Sequence, residues 1–274
     1  MQCLGTMNQP TISNAQSAIL NEQRRRYEGG FYRRHRWRWL FRDDCRYRWH
    51  RLRDILQQIG FATRQRTVLE IGFGSGDLLL RFPTSCRLMG LELSRAAVEA
   101  VQADPRLASY REHWLDTVGP DGSLPAPPWS ADLLLCSHVL EHVPDDRRLL
   151  QQACSLVRPG GLLALFVPLE TPGFDPKHVR CYTTASFADL VQSAGLELLH
   201  VESNYRICCG PARWADHPAR HGWPVLKWIE AVRNVALTLI PHATTLAIEE
   251  VLLQGGVPAT QVMAIAERPR TLAA

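Results

Sequence analysis

Residues 67–80 read TVLEIGFGSGDLLL. A short apolar run, Val68, Leu69 and Ile71, encloses an acid, Glu70, and ends in three alternate glycines, Gly72, Gly74 and Gly76. Asp77 and a second apolar run, Leu78 to Leu80, follow. A run of this length bounded by glycines predicts a strand, a tight turn and the start of a helix. The glycines permit unusual backbone angles and let a ligand approach the main chain closely. The first N–H groups of the helix, unpaired within it, stand next to that turn. A chain organised around such a unit builds strand and helix layers with a ligand at the turn.

The remainder of residues 67–168 repeats the unit. Strand 67–71 leads to a helix near 76–82, and strand 87–92 to a helix near 94–103 with Ser94 as its cap. A short strand is expected near 109–114. Residues 117–130 hold four prolines and two glycines and read as a loop. Strand 131–136 precedes a helix near 145–157, which Pro159-Gly160-Gly161 ends before strand 162–167. This alternation predicts a parallel sheet with helices on both faces. An irregular loop, 169–183, follows, then a helix near 184–194 and a strand over 196–203. Two amphipathic helices, near 224–240 and 243–253, lie in an insert of about 55 residues (204–258) before a closing strand, 260–267.

Whole-chain properties narrow the class. At 274 residues with 46% hydrophobic content the chain can bury a sizeable core. The eight cysteines show no C-x-x-C pair and no metal-ligand spacing, as expected of a reduced, cytoplasmic protein without structural disulfides. No apolar run reaches the ~18 residues of a membrane span, and the N-terminus lacks the layout of a secretory signal. The net charge of +4 is unevenly placed: residues 24–53 hold twelve arginines against three acids, with eight aromatics interleaved. From Trp37 to Ile59 the apolar positions fall at helical spacing, and Gly60 offers a stop. This predicts a long amphipathic helix over about 34–59 with arginines on its outer face.

The glycine spacing, Glu70-x-Gly72-x-Gly74-x-Gly76, departs from the G-x-G-x-x-G of pyrophosphate-binding turns. An acid before the glycines disfavours a pyrophosphate and favours a cationic ligand. A second acid, Glu92, ends the next apolar run, where such folds place a carboxylate on ribose hydroxyls. The combination resembles the class I S-adenosylmethionine-dependent methyltransferases, in particular those acting on small molecules and carrying an S-x-x-L-E-H-V segment. Further stretches carry the resemblance in order: Trp114-Leu115-Asp116, then ADLLLCSHVLEHVPD at 131–145, then LVRPGGLLALFVP at 156–168. Together they span roughly residues 65–200.

The resemblance implies a Rossmann-like, doubly wound, seven-stranded and mostly parallel sheet whose last strand runs antiparallel at the sheet edge. It implies a methyltransferase domain over 61–274, with an N-terminal helical arm or lid over 1–60. The cofactor is then S-adenosylmethionine, with S-adenosylhomocysteine as product. Its implied binding residues are Glu70, Gly72, Phe73, Gly74, Gly76, Glu92, Leu93, Leu115, Asp116, Ser137 and His138. Glu92 is suited to the ribose because a carboxylate accepts two hydrogen bonds. Asp116 is placed after the third strand, near the adenine amino group.

Catalysis of this kind is an in-line displacement at the methyl carbon, and a base is needed only if the acceptor must lose a proton. His178, in His178-x-Arg180-x-Tyr182 after the fifth strand, is the first candidate base, with a structural helix-capping role as the other reading. His138 is the second candidate. Arg180 suits an acceptor carboxylate or phosphate, or is a surface residue. No metal site is expected. Cys136-Ser137-His138-Val139 stands where methyltransferases of bases and glutamines carry an Asn/Asp-Pro-Pro-Tyr-like motif, which favours a small-molecule acceptor methylated at oxygen or nitrogen. That acceptor can be anionic or carrier-bound. The arginine-rich helix fits three roles: a solvated edge helix, a lid, or a docking surface for nucleic acid or an anionic membrane. The competing functions are an RNA- or protein-directed methyltransferase and a non-catalytic binding module.

Overall fold

A computed structural model describes residues 14–28, 43–208 and 224–270. The first 42 residues contribute one described helix, α1 (Asn14–Glu28). The elements that follow are α2 (Asp43–Gln58), β1 (Thr67–Ile71), β2 (Arg87–Glu92), α3 (Arg95–Gln102), β3 (His113–Thr117), β4 (Ala131–Ser137), α4 (Asp146–Leu156) and β5 (Val157–Pro168). Then come α5 (Thr184–Ser193), β6 (Glu197–Asn204), α6 (Pro224–Leu239), α7 (His242–Gln254) and β7 (Gln261–Glu267). The expected helix over about 34–59 is found as α2; residues 29–42 lie outside the described residues.

The seven strands form one sheet in the order β3-β2-β1-β4-β5-β7-β6. The first five run parallel, and β7 is antiparallel to both β5 and β6. The inner strands β1, β2, β4, β5 and β7 are largely apolar runs because both sheet faces are covered there. Side chains alternate between the faces. Val68, Leu88, Leu133 and Leu162 meet Leu52, Ile55 and Leu56 of α2 and Val98 and Val101 of α3. Leu69, Met89, Leu134 and Leu163 meet Leu149 and Leu150 of α4 and Phe187 and Val191 of α5.

Three expectations are corrected. The last strand is not at the edge: β7 lies between β5 and β6. Val262 to Ala266 are fully buried, whereas β6 is only partly covered, so β6 is the strand suited to an edge. After Gly76 the chain makes only a 3-10 turn, Leu79–Arg81, instead of a helix over 76–82. Leu78, Leu79 and Leu80 are all buried, which one helix face cannot arrange, and Pro83 bars helical geometry at Phe82. The third strand starts at His113 rather than near 109, because Leu107 and Tyr110 are tucked into the core as a turn, with the Tyr110 hydroxyl donating to the Phe82 carbonyl at 2.6 Å.

The arginines of α2 do not simply face solvent. Arg51 forms a two-pronged ion pair with Glu202 of β6. Arg46 donates to carbonyls at the C-terminal end of α6, those of Leu237 (3.0 Å) and Ile240 (2.9 Å) among them. Helix C-termini leave such carbonyls without partners, so a guanidinium fits there. His242, the first residue of α7, bonds Asp54 at 2.8 Å and stacks on His50. Thus α2 clamps the insert to the sheet.

Candidate active site

The strand order reverses between β1 and β4, and open α/β sheets bind ligands beyond the strand C-termini at such a point. The turn after β1 supplies Gly72 (φ +73°), Gly74 (φ +54°) and Gly76 (φ +72°), all in the left-handed region. A Cβ on Gly72 would stand 2.2 Å from Cγ2 of Val139, so the turn after β1 lies directly against the turn after β4. Phe73 is buried, and its ring occupies the space a Cβ on Gly90 would need.

At the end of β2, Glu92 is 5% exposed. Its Oε2 accepts the Gly74 N–H at 2.8 Å and its Oε1 that of Leu93 at 2.7 Å. Oε1 also accepts the Ser94 N–H at 3.3 Å, so Oε2 is the oxygen that retains a second lone pair. Burial raises its pKa against these backbone donors.

A cleft runs along these strand ends. Ile71, Gly72, Glu92, Leu93, Val118, His138, Val139 and His142 form part of its wall. α1 lies across it and contributes Leu20 and Gln23. This helix is held by Arg24, which donates to the carbonyls of Val118 (3.1 Å) and Gly119 (3.2 Å), and by Glu28, which accepts the Arg95 N–H at 2.8 Å.

Behind the glycine turn is a buried carboxyl. Glu70 is 3% exposed and its Oε2 has no hydrogen-bond partner. Burial pushes its pKa up to about 8, against the opposing charge of Arg48. Arg48 reaches in from α2, where its Nη1 donates to Ser137 Oγ at 3.1 Å and its Nη2 to Asp44. Glu70 and Arg48 thus set a titratable carboxyl and a guanidinium close to one turn, drawn from elements far apart in sequence.

His138 follows β4 with φ +56°, a left-handed conformation uncommon for a residue with a side chain. Its Nδ1 lies 3.3 Å from Glu141 Oε1, and its Nε2 lies 3.5 Å from Gln261 Oε1. Gln261 in turn donates to Asn204 Oδ1 at 2.7 Å, and Asn204 donates to Glu202 Oε1 at 2.7 Å. A chain of polar groups therefore runs from the Arg51–Glu202 pair to the cleft. Glu141 is fully buried. Burial pushes its carboxyl up, but His138 and His142 outweigh it, and the pKa lies below the ordinary value.

His178 sits one layer back, outside the cleft wall. Its Nδ1 bonds Glu170, and its ring meets the His142 ring edge-on at 4.7 Å. Burial works against protonation of His178, but Glu170 and the further acids outweigh it and raise the pKa. Arg180 holds the loop before α4: it donates to the carbonyls of Leu140 (3.1 Å), Val143 (2.5 Å) and Pro144 (2.6 Å) and pairs with Asp146. Its planar fork is engaged within the protein rather than presented to an acceptor.

The site residues inferred from sequence divide accordingly. Gly72, Glu92, Leu93 and His138 line the cleft. Gly74 and Gly76 shape the turn, while Glu70 and Ser137 lie behind it, joined through Arg48. Leu115 is in the core, and Asp116 lies within β3, not after it, with its Oδ1 accepting the Thr117 N–H. Sequence reasoning passed over Leu20, Gln23, Arg24, Arg48, Glu170 and Gln261. None carries a motif; Leu20, Gln23, Arg24, Arg48 and Gln261 matter through distant segments, and Glu170 through His178 of its own loop.

Residues 44–201 match the profile of a family described as a methyltransferase domain, which is more than half of the chain. This chain is a class I S-adenosylmethionine-dependent methyltransferase. A "probable S-adenosylmethionine-dependent methyltransferase" of Mycolicibacterium smegmatis is 29% identical over 190 residues, covering 65% of this chain and 69% of the relative. The 27-O-demethylrifamycin SV methyltransferase of Amycolatopsis mediterranei is 31% identical over 100 residues, which are 36% of this methyltransferase and 37% of that one. The crystal structure of a coclaurine N-methyltransferase bound to N-methylheliamine and SAH shares the fold, with a TM-score of 0.53, 13% identity, and 80% and 72% of the two chains covered.

The residues present fit the cofactor. Gly72 lines the cleft without a side chain, Glu92 places its carboxylate at the adjoining strand end, and Glu70 keeps an unpaired oxygen beside the turn.

Proposed function

We propose that this methyltransferase transfers the methyl group to an oxygen or nitrogen of a small molecule, with His138 receiving the acceptor's proton. The observation that carries this reading is that His138, Gly72 and Glu92 share one cleft wall beneath α1. S-adenosylmethionine supplies an electrophilic methyl on a good leaving group. Glu92 is assigned the ribose hydroxyls and Leu93 the neighbouring apolar surface. The close glycine turn admits the ligand against the main chain. Glu70 and Arg48 are matched in sign to an ammonium and a carboxylate, the two charges at the cofactor's amino-acid end. Phe73 and Leu115 act from the core by holding the strand ends in place, and Ser137 by orienting Arg48.

The acceptor's part of the work is mainly positional. α1 closes the cleft with Leu20 and Gln23 and so excludes water, which fits the N-terminal arm to a lid role. His138 directs its Nδ1–H at Glu141 and takes on Nε2 the proton that an O–H or N–H acceptor must lose, the Gln261 oxygen 3.5 Å away then accepting from the new N–H. His178 is assigned a supporting role, ordering His142 and the loop beyond β5 with Glu170. The internal engagement of Arg46, Arg48 and Arg51 favours this reading over a nucleic-acid surface on α2.

The test is transfer of labelled methyl from S-adenosylmethionine to parallel panels of phenols, carboxylic acids and amines, and to bulk RNA and protein. Label on small molecules, lost in His138→Gln, is the expected result. Label on RNA or protein alone would contradict the proposal.

A further inference from the structure

Three side chains with metal-ligating atoms meet at the edge of the cleft. Among the described residues, Glu141, His142 and His178 each bring one such atom, and these lie within 4.8 Å of one another. Glu141 and His142 stand on the turn after β4, and His178 on the loop after β5. The two segments are tied together beside the cluster. The Val179 N–H donates to the Glu141 carbonyl at 2.8 Å, and Arg180 donates to the carbonyls of Leu140 and Val143. No spacing in the sequence announces the cluster, because its members come from separate loops and meet only through the fold.

The atoms left over are those a cation takes. Glu141 is 1% exposed, and its Oε2 has no hydrogen-bond partner. The contact with His138 is made by the other oxygen, Oε1. A buried carboxylate oxygen without a partner is costly unless something neutralises it. Both imidazoles are held through Nδ1, that of His142 by the Lys177 carbonyl at 3.3 Å and that of His178 by Glu170. With Nδ1–H donating there, the neutral ring keeps its lone pair on Nε2. Metal-binding histidines are oriented in this way, by a carbonyl or carboxylate on the other ring nitrogen. Asp175 Oδ2 stands 3.9 Å from His178 Nε2, so three carboxylates gather about two rings. His142 also lines the cleft, which gives an ion a way in.

We propose that Glu141, His142 and His178 bind a divalent first-row transition metal ion of the Zn²⁺ class. Two imidazoles and one carboxylate suit such ions, whereas Mg²⁺ and Ca²⁺ favour oxygen ligands. Zinc holds nitrogen and oxygen ligands at about 2.0–2.2 Å, so small rotations of the three side chains close the site. Three protein ligands leave a further position to water or to an oxygen of the methyl acceptor. Binding at this site does not depend on which acceptor is methylated.

The experiment strips the full chain of metal with a chelator and titrates it calorimetrically with Zn²⁺ alone, with no acceptor present. The expected result is one Zn²⁺ per chain with a Kd in the micromolar range or below. Glu141→Gln, His142→Ala and His178→Ala should each weaken binding at least tenfold. Glu170→Gln, which acts only by loosening His178, should weaken it by a smaller factor. Co²⁺ in place of Zn²⁺ should give d–d absorption without a thiolate charge-transfer band, since no cysteine belongs to the site. Glu141→Gln alters a buried group, so the two histidine variants, checked for the wild-type circular dichroism spectrum, decide the outcome if it fails to fold. Absence of stoichiometric Zn²⁺ binding to the wild type would overturn the proposal. Wild-type affinity in both histidine variants would do the same, as would a thiolate band with Co²⁺, which would place the ion on cysteine.

Discussion

Replacing Glu70 with Gln should change the pH dependence of folding stability. Burial lifts this carboxyl from an ordinary 4.5 to about 8. The folded state therefore binds the proton more tightly than the unfolded chain. The stability contributed by the protonated group is complete below 4.5 and is lost as pH rises towards 8. One pH unit across that window is worth about 1.4 kcal/mol. Allowing for partial titration at both ends, the wild type should lose about 4 kcal/mol between pH 5 and pH 8.5 through this group alone. Glu70→Gln does not titrate, so its stability relative to wild type should rise by about that amount over the same interval. For a domain of this size the relative Tm should move by roughly 8–15 °C. Urea unfolding of both proteins at pH 5, 7 and 8.5 measures it. A constant offset between the two would refute the reasoning, because any fixed cost of the amide does not vary with pH. Cofactor affinity extends the test: if the ionised form pairs with a cationic ligand, wild-type affinity rises with pH through this window and the variant's stays flat.

Other substitutions probe the geometry of the cleft. Gly72→Ala must place a Cβ 2.2 Å from Val139 at φ +73°. It should cost about 1–2 kcal/mol for the backbone conformation and about 1–3 kcal/mol for overpacking, and it should weaken cofactor binding. Unchanged Tm and affinity would mean the two turns can separate freely. His138→Gln should lower kcat roughly 10²- to 10⁴-fold with little change in cofactor affinity. His178→Ala should cost less, and the reverse order would transfer the proton-accepting role to His178. Gln261→Leu removes the acceptor facing His138 Nε2 and should lower kcat roughly tenfold without changing cofactor affinity. An unaffected kcat would make the Asn204–Gln261 ladder purely structural.

Much of the sheet was legible because its signals are local. Strands β1, β2, β4 and β7 are apolar runs bounded by glycine, acid or proline, and Ser94 caps α3 as expected, accepting the Ala97 N–H at 3.2 Å. The glycines after β1 and the acid ending β2 announce their turn because only a few residue types tolerate those positions. Errors arose where a residue's fate depends on distant packing. Leu107 and Tyr110 look like the start of a strand but anchor a turn, which moved β3 and with it Asp116. The leucines after Gly76 suggest a helix, but burial of all three selects a tighter turn. Arg48 is one arginine among twelve in sequence, and only its approach to Ser137 and Glu70 distinguishes it. His178 matched a spacing, yet the position of the loop leaves His138 on the cleft wall and His178 behind it.

Calorimetric titration with S-adenosylmethionine and S-adenosylhomocysteine, on the wild type and on Glu92→Ala, tests most directly whether the glycine turn and Glu92 form the cofactor site. The account predicts binding of both ligands to the wild type in the micromolar range. It predicts a loss of at least tenfold in the variant, which gives up the carboxylate assigned to the ribose and leaves the Gly74 and Leu93 N–H groups without their partner. Equal affinity of the two proteins would contradict it.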